Sequence, residues 1–140
     1  MKNSKALQAI LIISGLIAIS IGATILFFPV MFHASSGIDL GGNVSLLSET
    51  RAPGAALFVS GILMMLGAFV REMTFTSLVL TVLVYLSYGF ARVFSMMVDG
   101  MPAESLITAT VLEIVIGLAG VWGLNKFRSK SAHYVQAIDV

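Results

Sequence analysis

Four long apolar runs, separated by short clusters of polar and charged residues, dominate the pattern along this chain. The first covers residues 6–28 without a charge. At about 1.5 Å per residue it is long enough to cross a hydrocarbon core of roughly 30 Å. Further runs are counted at about 52–70, 74–97 and 105–124. The first run exceeds the apolar region of a signal peptide and no Ala-x-Ala site follows it, so it is expected to remain as a span.

The connections carry their own signals. Pro29 predicts the end of the first helix, or a kink followed by one more turn, because proline cannot donate to the helical ladder. Residues 33–47 are polar and Gly-rich, which predicts a loop or a short interfacial segment. The start of the second helix has two readings. Pro53 fits a first helical turn, but if the helix begins near Ser45 then Pro53 lies inside it and the carbonyl of Glu49 loses its partner. Arg71 and Glu72 mark a very short turn. Asp99-Gly100-Met101-Pro102 is another, since glycine tolerates positive φ and proline holds its own.

This pattern predicts an all-α fold, an integral membrane four-helix bundle running up-down-up-down as a single domain over residues 1–140. Lys2, Lys5, Arg71, Lys126, Arg128 and Lys130 flank the spans on one side, against Arg51 on the other. The positive-inside rule then puts both termini in the cytoplasm and the chain in the inner (cytoplasmic) membrane as a multi-pass protein. Trp122 and Tyr134 fit an aromatic belt at the cytoplasmic interface.

Composition agrees with that reading and narrows the chemistry. Of 140 residues, 58% are hydrophobic and 11% charged, outside the soluble range. Mean hydropathy is +1.00. A net charge of +1 with scattered Lys and Arg excludes nucleic acid as a partner, which would need a clustered basic surface. The absence of cysteine removes thiolate nucleophiles and thiolate metal sites. His33 and His133 fall on opposite sides of the proposed membrane, so no haem or metal ligation is expected, and no cofactor is implied. No histidine base accompanies a membrane-embedded serine, and Ser60 lacks a Gly-x-Ser-x-Gly setting, so no catalytic residue is assigned.

What remains is a polar stripe inside apolar helices. On the third helix Thr81, Tyr85, Tyr88, Arg92 and Ser95 follow three- and four-residue steps and therefore share a face. On the fourth, Leu106, Thr110, Glu113, Gly117, Gly120 and Leu124 do the same. Arg92 and Glu113 both lie within hydrocarbon depth. An unpaired charge at mid-bilayer costs roughly 2.5 to 3.5 kcal/mol on insertion scales, which favours pairing, a wet cavity or a protonated Glu. Such a pair serves equally to hold two helices in register or to form a site. Small residues mark close helix contacts: Gly15, Ala18 and Gly22 on the first helix, Gly61 and Ala68 on the second, Gly117 and Gly120 on the fourth. Met64, Met65, Met96 and Met97 are expected as lipid-facing or core filler rather than as a pocket.

Three pieces taken in order, Ser48-Glu49-Thr50-Arg51-Ala52-Pro53-Gly54, Tyr88-Gly89-Phe90-Ala91-Arg92 and Asp99-Gly100-Met101-Pro102, carry a likeness to a known family. Over most of its length the chain resembles the bacterial DUF4345 domain proteins, small four-helix membrane proteins, and more distantly the DoxX-like group. It departs from that pattern at Pro53, where an aromatic is expected before the glycine. The resemblance implies a four-helix fold and a candidate site at Glu49, Arg51, Arg92 and Asp99, and it brings no reaction.

The functional expectation is a non-catalytic membrane protein. Glu49, Arg51, Tyr85, Tyr88, Arg92, Asp99 and Glu113 are its ligand- or partner-binding candidates, gathered in the non-cytoplasmic half. The partners expected are the lipid bilayer, a lipophilic ligand, and a partner membrane protein or a second copy in a homo-oligomer. Two alternatives stand beside it: a membrane enzyme or proton-coupled transporter using Glu113, and an accessory subunit of a larger membrane complex.

Overall fold

The computed structural model describes the backbone of residues 4–136 and the side chains of residues 4–129. Lys2, and the side chains of Lys130, His133 and Tyr134, lie outside the described residues. Among the described residues five helices follow in chain order: α1 (Lys5–Phe27), α2 (Pro29–Ala34), α3 (Val44–Phe69), α4 (Arg71–Asp99) and α5 (Glu104–Gln136). Four of them, all but α2, are long and apolar enough to cross a membrane.

Local chemistry explains the helix ends. Ser4 caps α1 by accepting a hydrogen bond from the Leu7 amide, and Asn43 caps α3 through the Leu46 amide. Between α1 and α2 only Phe28 leaves the helical region, and Pro29 opens α2, where its missing N–H is harmless. Proline thus kinks this end and a short further helix follows. The second long helix starts at Val44 rather than near Ala52, so Pro53 lies inside α3. Of the two readings of that start, the longer helix is the one formed, because Asn43 supplies a cap that Ala52 cannot. The α3–α4 turn has a single non-helical residue, Val70. The last helix continues past Leu124.

Packing starts from two antiparallel hairpins. In the first, α1 and α3 meet through small residues spaced seven apart: Gly15 opposes Gly61, and Gly22 opposes Gly54. A Cβ on Gly15 would sit 2.9 Å from the Gly61 carbonyl oxygen, and one on Gly61 would sit 2.6 Å from the Ile19 amide nitrogen. Those neighbours are backbone and cannot step aside, so the close approach depends on glycine. The same register continues to Gln8, whose side-chain amide donates to the Ala68 carbonyl at 3.2 Å. In the second hairpin, α4 and α5 pack Gly117 against Leu86, Gly120 against Val82, and Gly89 against Ile114.

Hydroxyls join the hairpins. Thr74 donates to the Gly67 carbonyl at 2.8 Å and Ser77 to the Leu63 carbonyl at 2.7 Å, tying the start of α4 to the end of α3. At the end where α1 begins, hereafter the lower end, Leu7, Leu11, Ala68 and Leu78 form a closed apolar cluster with Leu124 and Phe127 against it. Elsewhere the burial pattern differs from that of a water-soluble bundle. Ser14, Thr74, Ser77, Thr81 and Thr110 are buried, whereas Leu83, Phe90, Phe94, Val115 and Leu118 face outward. An apolar exterior around a hydrogen-bonded interior is what a bilayer selects.

Candidate functional site

The lower end is packed shut and the upper end is not. Above the Leu7–Leu11 cluster, residues of α1, α4 and α5 line a cavity of about 280 Å³. Its wall is mainly aliphatic, with Ile17, Ile21 and Ile25 from α1, Leu57 from α3, and Ala109 and Ile116 from α5. Ile17, Ile21 and Ile25 recur at four-residue steps, which places them on one face of α1. Ile21 and Leu112 line the cavity and are also 37% and 52% exposed, so it is open between α1 and α5.

Polar groups come from α4 and α5. Tyr85, Tyr88 and Arg92 stand on one stripe of α4, and Glu113 faces them from α5. Arg92 Nε lies 3.2 and 3.1 Å from the two carboxylate oxygens of Glu113. The pair extends the antiparallel register of the Gly89–Ile114 and Leu86–Gly117 contacts by one rung. Arg92 is seven residues from the end of α4 and Glu113 nine from the start of α5, about 10 and 14 Å in from the helix ends. The pair is only partly buried, with side-chain exposures of 32% and 15%, and its exposed part faces the cavity it lines.

Tyr85 has a different task from its neighbours. It is 4% exposed, and its hydroxyl donates to the Ser14 carbonyl of α1 at 2.6 Å. That bond crosses the cavity floor and holds the two hairpins together. Tyr88, one turn higher, is 37% exposed and makes no hydrogen bond to the described residues through its hydroxyl.

At the mouth, the end of α2 and the two residues after it border the cavity. Phe32, Ser35 and Ser36 line it from above, and the Ser36 and Ser105 hydroxyls meet at 3.0 Å. The sequence pattern did not single out these residues, because the segment is polar and Gly-rich like any exposed loop. The break at Phe28, with Pro29 opening α2, precedes this segment, which the fold then brings to the cavity. Gly37, Gly41 and Gly42 all take positive φ in the return to α3.

The remaining sequence-derived candidates sit apart from the cavity. Arg51, exposed on α3, donates through Nη1 to the Leu26 carbonyl of α1. That carbonyl would serve residue 30 in a continuous helix, and the break at Phe28 leaves it without that partner, so Arg51 caps the end of α1. Glu49 is exposed on the same helix. Asp99 accepts a hydrogen bond from Ser95 at 2.9 Å, one helical turn away, at the top of α4. Tyr85, Tyr88, Arg92 and Glu113 are therefore brought together, and Glu49, Arg51 and Asp99 are placed elsewhere. Ser95, on the same stripe, turns to Asp99. Among the described residues no three His, Asp or Glu side chains gather as a metal site. Met64 is fully buried filler beside Tyr85, and Met97 is exposed.

Fold and site together define a helical bundle of the multi-pass membrane class, with an ion pair set into an upper cavity. The chain belongs to the family described as Domain of unknown function (DUF4345), which matches residues 6–124. That match takes in all four long helices up to Leu124. No curated protein and no solved structure matches the chain.

Proposed function

We propose that this chain is a single-domain, non-catalytic protein of the inner membrane, both termini cytoplasmic, that binds a lipophilic molecule between α1, α4 and α5. The observation that carries the reading is the cavity itself: an aliphatic wall ending on the Arg92–Glu113 pair and Tyr88. Ligand sites in helical bundles combine this kind of apolar lining with a few convergent polar groups. The opening between α1 and α5 faces the side from which a bilayer-dissolved molecule would enter. The orientation is supported by Lys5, Arg71, Lys126 and Arg128 at the lower end, with Lys126 stacked 4.5 Å from the Trp122 ring as at a headgroup interface.

Native mass spectrometry of the protein released from lipid nanodiscs tests the reading. A lipophilic molecule should be retained at one per chain, and Ala109→Phe, which fills the cavity from α5, should lose it while melting like the wild type. A wild-type protein that emerges bare would overturn the proposal. Orientation is tested separately: a C-terminal GFP fusion should fluoresce, and strong alkaline phosphatase activity from the same position would reverse it.

A further inference from the structure

The polar end of the cavity is rich in donors and already balanced in charge. Arg92 uses only Nε toward Glu113. Its two Nη groups make no hydrogen bond to the described residues, so four N–H donors remain beside Tyr88 on the cavity wall. The positive charge is nevertheless spent, because Glu113 holds a carboxylate within 3.1 Å of the same guanidinium. A second anion brought to the Nη edge would gain attraction from Arg92 and lose most of it to repulsion from Glu113, while giving up its hydration. A neutral carbonyl oxygen gives up far less and can accept from the same donors.

From this we infer that the cavity selects a single-chain amphiphile whose headgroup is an uncharged carbonyl acceptor, an ester or ketone rather than a carboxylate or phosphate. The inference rests on the lipophile-binding reading above and names the ligand class for that site. A volume of about 280 Å³ holds the headgroup and the first part of a chain, and the remainder leaves between Ile21 and Leu112 into the bilayer. Arg92 acts through the face of the guanidinium that Glu113 leaves open, and Glu113 sets the selectivity by cancelling the charge. The polar Ser36–Ser105 contact lies across the top, on the side away from the tail.

The test is a competition in nanodiscs at pH 9 with equimolar methyl oleate, sodium oleate and 1-octadecene, three chains of distinct mass, read by native mass spectrometry. Methyl oleate should occupy the protein at least roughly tenfold more than either competitor. In the double variant Arg92→Leu/Glu113→Leu, which stays neutral and apolar, its advantage over 1-octadecene should fall to within about twofold. Oleate bound as well as or better than the ester would overturn the inference and leave the lipophile-binding reading standing. So would 1-octadecene matching the ester in the wild type, or an ester preference that survives the double substitution. Retention of none of the three would remove both.

Discussion

Arg92 on α4 meets Glu113 on α5 through Nε alone, 3.2 and 3.1 Å from the two carboxylate oxygens, at a point where both helices lie well inside their apolar spans. The pair joins two helices already in contact through Gly89 and Gly117, so it fixes their register as well as furnishing the cavity. These two roles make different demands on variants.

Arg92→Leu leaves the Glu113 carboxylate without its counter-charge in a mostly apolar setting. Partial exposure to the cavity softens the penalty, and a loss of about 2 kcal/mol is expected. Arg92→Leu/Glu113→Leu should recover to within about 1 kcal/mol of the wild type, since a paired charge replaced by apolar groups is close to neutral. Unfolding in mixed micelles followed by circular dichroism measures both. A double variant no more stable than Arg92→Leu would show that the residues do not act as a pair.

Tyr85→Phe removes the one hydroxyl that links α4 to a carbonyl of α1 across the cavity floor. Hydrogen bonds between membrane helices are worth about 0.6 kcal/mol on average and up to about 1.7. The buried setting of Tyr85 places it toward the upper value. A melting temperature equal to the wild type would mean that the hairpins are held by packing alone.

Gly61→Leu should prevent α1 and α3 from closing, because the added side chain meets the Ile19 amide and the Gly15 carbonyl, both backbone, as well as the Ile19 side chain. Overpacking a core costs about 1 to 3 kcal/mol even where side chains can shift, and here two of the nearest atoms are backbone. Loss of the folded band in size-exclusion chromatography is expected. Leu83→Ala, on the outward face of α4, serves as the control and should elute normally.

Arg51→Ala strips the cap from the Leu26 carbonyl. Because the site is exposed and water can substitute, global stability should fall by less than about 1 kcal/mol. The effect should be local: faster amide hydrogen exchange in residues 28–34, with α4 and α5 unchanged. Protection identical to the wild type across that segment would show that Arg51 does not hold the kink.

Much of this architecture is legible in the linear pattern, for a physical reason. In a bilayer each span must satisfy its own backbone, so uninterrupted apolar length marks a helix without reference to any neighbour. The stripe of Thr81, Tyr85, Tyr88 and Arg92 was legible for the same reason, since helical periodicity alone decides which side chains share a face. Pairing of Arg92 with Glu113 was one of the three outcomes that the cost of a buried charge favoured, and the α4–α5 register forms it. The start of α3 was not legible, because Pro53 is compatible with a first turn or with a kinked interior, and the choice fell to the Asn43 cap 10 residues upstream.

By itself, then, the sequence determined four membrane-length helices, their antiparallel order and the face on which the ionisable residues lie. The tertiary structure decided which of those residues meet. Arg51 and Glu113 look alike as charges near an apolar run. Arg51 is drawn to the Leu26 carbonyl because α1 breaks at Phe28, while Glu113 is held against Arg92 because Gly89 and Gly117 let α4 and α5 approach. The cavity belongs wholly to the second category. Its lining is gathered from α1, α3, α4 and α5 and from the segment around α2, an assembly that no single stretch of the chain encodes.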